Sequence, residues 1–150
     1  MINSGRYVND SMGRYIGKKV VKKIISQGKN ILGAHVLVMG MTFKENVSDI
    51  RNSKVADIIN EFKDFGAEVD VMDPFASPLE VLQEYGIRLV ERPGKKYDAV
   101  VVAVAHTTYL KLDESYFMSI TNEHAVLADV KGVYRGSIHQ MIYWLSLIHI

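Results

Sequence analysis

The sequence predicts an α/β domain with a doubly wound, mostly parallel β-sheet of Rossmann-like type, preceded by a long N-terminal helix. Two observations support this prediction. Short apolar runs of strand length alternate with segments of helical periodicity, the order expected of parallel strands joined by crossover helices. In addition, residues 98–106 (DAVVVAVAH) form a run of small and β-branched residues without polar alternation, typical of a central strand covered on both faces.

Residues 1–30 are predicted to form the N-terminal helix, with Asn9 or Asp10 as its cap and Gly28 as its stop. Its apolar face comprises Met12, Ile16, Val20, Val21, Ile24 and Ile25. The segment has seven basic residues and one acidic residue, hence a charge of +6, which leaves −5 for the rest of a chain whose net charge is +1. The basic face is either solvated or docks on an acidic neighbour.

The next segment is organised as a strand, a loop and a helix. Residues 35–39 (HVLVM) are an apolar, β-branched strand, and Gly40 follows where the backbone must turn sharply and approach a neighbour closely. A helical stripe then begins, with Ser53 as its predicted N-cap. The stripe comprises Val55, Ile58, Ile59 and Phe62.

The remaining elements continue the alternation. A second strand at 68–72 ends at Asp73 and Pro74, and a helix at 78–85 has proline in its first turn and Gly86 at its end. The further predicted elements are a weak strand at 87–90, a turn at 92–96, the central strand at 98–106, a helix at 113–120, a strand at 125–130 and a terminal helix or strand from Ser137. Residues 147–150 have no evident place in the fold.

Composition excludes several classes of function. A chain of 150 residues with 48% apolar residues is long enough for one domain with a real core. The net charge of +1 argues against a general nucleic-acid binder, and no apolar run is long enough for a membrane span. The absence of cysteine excludes disulfides, thiolate metal sites and a cysteine nucleophile. We therefore expect a soluble, cytoplasmic protein that binds neither nucleic acid nor membrane.

Three cations lie in loops that follow predicted strands. Lys44 and Arg51 lie in the loop after the first strand, and Lys131 follows the last one. Since the carboxyl ends of parallel strands share one edge of the sheet, these cations are predicted to converge on an anionic ligand. The first loop is not a dinucleotide fingerprint, because residues 41–43 (MTF) occupy the turn where two further glycines would be needed.

No complete catalytic or metal-binding set is evident in the sequence. The five histidines lack metal-ligand spacing, and only His106, after the central strand, is considered for a ligand contact. Asp49 and Asp57 form an acid/base pair in principle, although a salt bridge or helix cap is the simpler role. From the residues alone, the chain is a binding domain for an anionic small molecule.

The stretch GMTFKENVSDIRNSKVADII, residues 40–59, resembles the C-terminal UDP-binding domain of the UDP-glucose/GDP-mannose dehydrogenase family, whose motif is G-x-x-F-K-x-x-x-x-D-x-R-x-S. Further stretches that fit the family are GRYVNDSMG, VDVMDPFA, DAVVVAVAH and ADVKGVY. The resemblance implies that residues 1–30 end a central helical, dimerisation region and that residues 31–150 form the UDP-sugar-binding domain. It also implies a homodimer of the full-length enzyme.

Members of this family oxidise the C6 alcohol of a nucleotide sugar to a carboxylate with NAD. The resemblance implies that Phe43, Lys44 and Lys131 contact the nucleotide sugar and that Arg51 reaches the NAD cofactor. The N-terminal NAD-binding domain and the cysteine-bearing central domain would be missing partners. The chain therefore contains no catalytic residue and is expected to be inactive by itself.

Two departures from the family pattern refine the resemblance. Lys131 replaces the arginine of a frequent D-G-R motif, and His106 with Thr107 replaces a more usual T-E-W/H. With the stretch IRNSKV, these variants are most similar to the enzymes that act on UDP-N-acetylhexosamines in polysaccharide biosynthesis. The alternative is a stand-alone nucleotide-binding or regulatory module without catalysis.

Overall fold

The computed structural model describes residues 4–146, with side chains described from residue 12 onward. Five strands form one sheet in the order β2-β1-β3-β4-β5, and all four neighbouring pairs are parallel. The strands are β1 (His35–Met39), β2 (Glu68–Met72), β3 (Tyr97–Val102), β4 (Thr121–Asp129) and β5 (Ile142–Leu145). The helices are α1 (Ser4–Ser26), α2 (Val55–Asp64), α3 (Pro78–Tyr85) and α4 (Glu114–Ser119). The predicted Rossmann-like fold is confirmed.

Alternating side chains of the strands bury both faces of the sheet. Val36 and Val38 of β1 belong to the same apolar cluster as the inner faces of α1 and α2. Leu37 and Met39 face the opposite way and belong to a second cluster, which contains Phe117 of α4. The sheet is therefore the central layer between two apolar clusters.

The strand register aligns the carboxyl ends of four strands. Met39 at the end of β1 is level with Met72 of β2 and with Val102 of β3. Val102 is in turn level with Asp129 at the end of β4. The segments that follow these strands consequently emerge side by side, which is where open parallel sheets place their ligands.

Two predicted helix caps were wrong. The first helix begins at Ser4, so Asn9 and Asp10 lie inside it, although its end at Ser26 agrees with a stop at Gly28. The second helix begins at Val55, and its cap is Lys54, which makes no side-chain capping bond. Ser53 lies one residue before this cap. Its hydroxyl accepts the N–H of Val55 at 3.3 Å.

Three strand predictions also need correction. The weak strand at 87–90 is reduced to one parallel bridge between Val71 and Leu89. The central strand ends at Val102 and not at His106, because the chain beyond it bends over Gly40 toward the neighbouring loop. The last predicted strand, 125–130, begins earlier, at Thr121.

The C-terminal segment adds a fifth strand to the sheet. Of the two predicted alternatives for this segment, the structure forms a strand, β5, which is parallel to β4. The predicted helix at 113–120 is present as α4, and the Asp113 side chain accepts the N–H of Tyr116 at its start. The prediction that residues 147–150 have no evident place in the fold concerns residues outside the described range.

Candidate functional site

A cavity of about 370 Å³ opens at the carboxyl edge of the sheet, between the β1–α2 loop and the segments after β3 and β4. Its lining residues are Thr42, Phe43, Lys44, Glu45, Asn52, Lys54, Val55, Ala103, Val104 and Lys131. Most of them belong to the loop that leaves strand β1. The position is the one expected for a ligand site in a doubly wound sheet.

Three lysines give this cavity its charge. Lys44 and Lys54 come from the β1–α2 loop, and Lys131 comes from the end of β4, with Glu45 as the acidic lining residue. Burial lowers the pKa of the Lys131 ammonium, and the nearby Glu45 carboxylate acts in the opposite direction. A bound anion would favour the charged form of the Lys131 ammonium.

The amino end of α2 adds to this positive environment. Val55, the first residue of the helix, lines the cavity, and the preceding Lys54 provides no side-chain oxygen to cap the first turn. The helix dipole gives such an end a partial positive charge. Phosphate-like groups are therefore well suited to this wall of the cavity.

Phe43 offers an apolar surface beside the lysines. Its side chain lines the cavity while the residue remains 57% exposed, which is unusual for a large aromatic residue. Its backbone N–H donates to the Asp49 carbonyl at 2.7 Å, so its main chain is held in place. An exposed aromatic ring on an anchored backbone is suited to stacking on a planar or ring-shaped ligand.

Arg51 does not join the three lysines. Its side chain is 81% exposed and makes a two-point ion pair with Asp49, with distances of 3.1 and 3.2 Å. Arg51 lies beside a separate cavity of about 320 Å³ that is also lined by Glu80 and Glu84. Of the three predicted cations, Lys44 and Lys131 line one cavity and Arg51 lines another.

Lys54 was not among the predicted site residues, yet it lines the cavity that Arg51 was expected to reach. The signal for Lys54 was its position immediately before the apolar stripe of α2, because the amino end of that helix faces the cavity. The contact predicted for Asp49 as a salt bridge is confirmed, and its Arg51 partner lowers the pKa of the Asp49 carboxyl.

His106 was considered for a ligand contact, but it does not line the cavity. It is fully buried, and its Nε2 atom lies 2.9 Å from the Oδ2 atom of Asp73, which directly follows β2. Burial by itself raises the pKa of the Asp73 carboxyl, but hydrogen bonds from His106 and the backbone amides of Met41 and Phe75 outweigh it and keep that pKa low. The pair is structural support beneath the site.

Among residues 12–146, whose side chains the structure describes, no three side chains of the His, Asp or Glu type form a group that would hold a metal ion. In the same part of the chain, the helices are too short or too polar to cross a bilayer.

A parallel sheet with a lysine-lined cavity at its carboxyl edge is suited to binding an anionic small molecule. The chain belongs to the UDP-glucose/GDP-mannose dehydrogenase family, because the profile of that family's UDP binding domain matches residues 37–136. The family resemblance noted in the sequence is therefore confirmed.

Relatives with assigned names are similar over most of this chain. The UDP-N-acetyl-D-glucosamine 6-dehydrogenases of Salmonella typhi and Pseudomonas aeruginosa are 38% and 39% identical to it, over 89% and 87% of its length. A structure of the UDP-N-acetyl-mannosamine dehydrogenase Cap5O from S. aureus matches 94% of the chain with a TM-score of 0.72 and 27% identity. The chain spans about a third of each of these proteins, at 32%, 31% and 32% of their lengths.

Proposed function

We propose that this chain is the nucleotide-sugar-binding part of an NAD-dependent UDP-sugar 6-dehydrogenase, which oxidises the C6 alcohol of the sugar to a carboxylate. The observation that carries the proposal is the grouping of Lys44, Lys54 and Lys131 around one cavity at the carboxyl edge of the sheet. A UDP-sugar carries a diphosphate, and three ammonium groups beside a helix amino end complement its charge. A UDP-N-acetylhexosamine is the proposed substrate, as the names of the two bacterial relatives suggest.

The proposal gives each side chain a role. Lys44 and Lys131, with Lys54, neutralise the diphosphate, and the exposed ring of Phe43 packs against the nucleotide sugar. NAD supplies the hydride acceptor when it is bound, mainly by a domain outside this chain. Arg51 fits a contact with that cofactor, because its guanidinium is exposed and, among the described residues, its ion pair is with Asp49 of the same loop.

The rest of the enzyme is also part of the proposal. Residues 1–30 would be the end of a central helical region, and residues 31–150 the UDP-sugar-binding domain. The full-length enzyme would be a cytoplasmic homodimer that acts in polysaccharide biosynthesis, with its catalytic residues in the other domains. The chain by itself would bind substrate weakly and would not turn it over, because half of the site is supplied by those domains.

Calorimetric titration with UDP and with UDP-N-acetylglucosamine tests the binding role. We expect weak binding to the unmodified chain, and about a tenfold loss of affinity in Lys44→Ala and in Lys131→Ala, since a charged hydrogen bond contributes about 1.5 to 3 kcal/mol. Lys95→Ala is the matched control, because Lys95 is exposed in the turn before β3, at the opposite edge of the sheet.

The same titration can contradict the proposal. Absence of heat at millimolar UDP would argue against a nucleotide site that is functional in this chain. Equal losses in Lys95→Ala and Lys131→Ala would indicate a general effect of net charge and no defined site.

A further inference from the structure

The loop segment that carries Phe43 and Lys44 is held on both sides by buried groups that never reach the cavity. Asp73 follows β2 and His106 follows β3, the two strands that flank β1, and their side chains meet at 2.9 Å beside the β1–α2 loop. Asp73 is 7% exposed and His106 is fully buried. Buried polar side chains are costly unless they are fully hydrogen-bonded, and these two make an extensive set of bonds.

Asp73 anchors the beginning of the loop. Its Oδ2 atom accepts the N–H groups of Met41 at 2.6 Å and Thr42 at 3.1 Å. Its Oδ1 atom accepts the N–H groups of Phe75 at 2.8 Å and Ala76 at 3.3 Å, which fixes the carboxylate on its own strand end. The two residues directly before Phe43 are therefore tied to the end of β2.

His106 anchors the other side of the loop through its second ring nitrogen. Nδ1 lies 2.9 Å from the backbone N–H of Asn46, which can only donate. Nδ1 must consequently be the acceptor, so the ring proton is on Nε2 and is donated to Asp73 at 2.9 Å. The Thr42 hydroxyl lies 3.4 Å from the same Nε2 and donates to the Lys44 carbonyl at 2.9 Å.

Asn46 completes the connection to the segment after β3. Its side-chain Nδ2 donates to the Thr107 hydroxyl at 2.7 Å, and its side-chain Oδ1 accepts the Thr107 backbone N–H at 2.9 Å. Asn46 adopts a left-handed backbone conformation with φ of 60°, which asparagine tolerates better than most residues. The hydrogen bonds to His106 and Thr107 hold it in that conformation.

We propose that His106 is a positioning residue for nucleotide-sugar binding: by linking Asp73 to Asn46 it fixes the backbone of residues 41–46 and so places Phe43 and Lys44 at the cavity. The proposal rests on the proposed function of the cavity. The aromatic rings of Phe75 and Tyr109, with centroids 4.6 and 5.3 Å from the imidazole, pack around His106. His106 acts only through the loop, and preorganising the loop reduces the ordering that the ligand would otherwise impose.

Nitrogen-15 NMR of the imidazole tests the arrangement without any ligand. In the unmodified chain we expect His106 as the neutral ring with its proton on Nε2, and a protected amide at Asn46. A ring protonated on Nδ1 would overturn the proposal, because such a ring cannot accept the N–H of Asn46.

Two conservative variants separate the two contacts of His106. In His106→Asn, the amide oxygen lies near the position of Nδ1 and keeps an acceptor for Asn46, whereas His106→Gln reaches toward Asp73 and loses that acceptor. We expect about tenfold faster hydrogen exchange at the Asn46 amide in His106→Gln, and a smaller change in His106→Asn. His139→Gln, at an exposed histidine before β5, is the control for the substitution itself.

Calorimetry with UDP then connects the loop to binding. We expect about tenfold weaker binding in His106→Gln than in the unmodified chain, and an intermediate value in His106→Asn.

Unchanged affinity in His106→Gln, with a loosened loop, would overturn the positioning role and leave the proposed function intact. If the unmodified chain shows the Nε2 proton and the protected amide but fails to bind UDP, the proposed function fails and the anchoring of the loop stands. If the Gln variant does not fold, the tautomer of the unmodified chain and the Asn variant decide the outcome.

Discussion

At the scale of single residues, the sequence predicted which cations follow strands, but it did not predict which way each side chain points. Lys44 and Lys131 were recognised because each follows a predicted strand, and the parallel register brings them to one edge. The direction of the Arg51 side chain depends on its pairing with Asp49 two residues away, a choice that the sequence leaves open. A loop can turn such a side chain either toward the cavity or away from it.

The buried support of the loop was beyond sequence reasoning for a related reason. His106 pairs with Asp73 and Asn46, which are 33 and 60 positions away, and no periodic pattern connects them. Asp73 was interpreted as the polar end of a strand, and His106 as a possible ligand contact. Only the side-by-side order of β2, β1 and β3 brings the three residues together.

The Asp73 carboxylate is expected to make the stability of the fold depend on pH. Its pKa in the folded chain is below its usual value, so its ionisation stabilises the fold at pH values above the unfolded pKa. This contribution is lost as the pH falls through the folded pKa. Denaturant unfolding of the unmodified chain between pH 7 and pH 2 should therefore show a decline that is smaller in Asp73→Asn.

At pH 7 we expect Asp73→Asn to lower the free energy of unfolding by about 2 kcal/mol, because the new NH₂ group cannot accept the backbone N–H groups. Asp64→Asn is the control, since Asp64 is an exposed partner of Arg14 and surface ion pairs contribute little. If the free energy of unfolding declines with pH equally in both variants and in the unmodified chain, the pH dependence comes from carboxylates other than Asp73.

At the scale of elements, periodicity identified most strands and helices, and tertiary contacts determined where they end. The apolar runs of β1, β2 and β3 are local signals, so they were found. The central run continues to His106 in sequence, but the strand stops at Val102 because the following chain packs over the β1 turn. The segment at 87–90 has only one bridge partner, Val71, and so does not extend the sheet.

Gly40 is the point where the β1 turn meets the segment after β3. Its φ is +104°, and an added Cβ would lie 2.7 Å from the Cβ of Val104 and 2.9 Å from its backbone nitrogen. Gly40→Ala should therefore lower the free energy of unfolding by about 3 kcal/mol, from backbone strain and overpacking together. Thermal and denaturant unfolding measure this change.

Gly94→Ala is the matched control for Gly40→Ala. Gly94 has no neighbour within 4 Å of an added Cβ and no left-handed conformation, so the substitution should change stability by about 0.5 kcal/mol or less. Equal effects of the two alanines would mean that the close approach at Gly40 relaxes without cost.

At the scale of the whole molecule, the helix α1 is part of the same core as the sheet. Ile16, Val20, Val21 and Ile24 are all buried and share a cluster with β1 and α2. Arg14 adds ion pairs to Glu61 and Asp64 of α2, at 3.4 and 2.8 Å. The proposed assignment of residues 1–30 to the end of a helical region is compatible with this packing, since one helix can end one region and complete the core of the next.

Two adjacent isoleucines of α1 provide a test of this cooperativity. Ile24 is fully buried and Ile25 is 50% exposed, so the same substitution removes core packing at one and surface only at the other. Ile24→Ala should lower the free energy of unfolding by about 3 kcal/mol, and Ile25→Ala by less than about 1 kcal/mol. Calorimetry should show one transition in each variant, shifted down by roughly 6 to 12 °C in Ile24→Ala. A second, separate transition in Ile24→Ala, with the main one unmoved, would show instead that α1 folds independently of the sheet and that its contacts do not stabilise the binding domain.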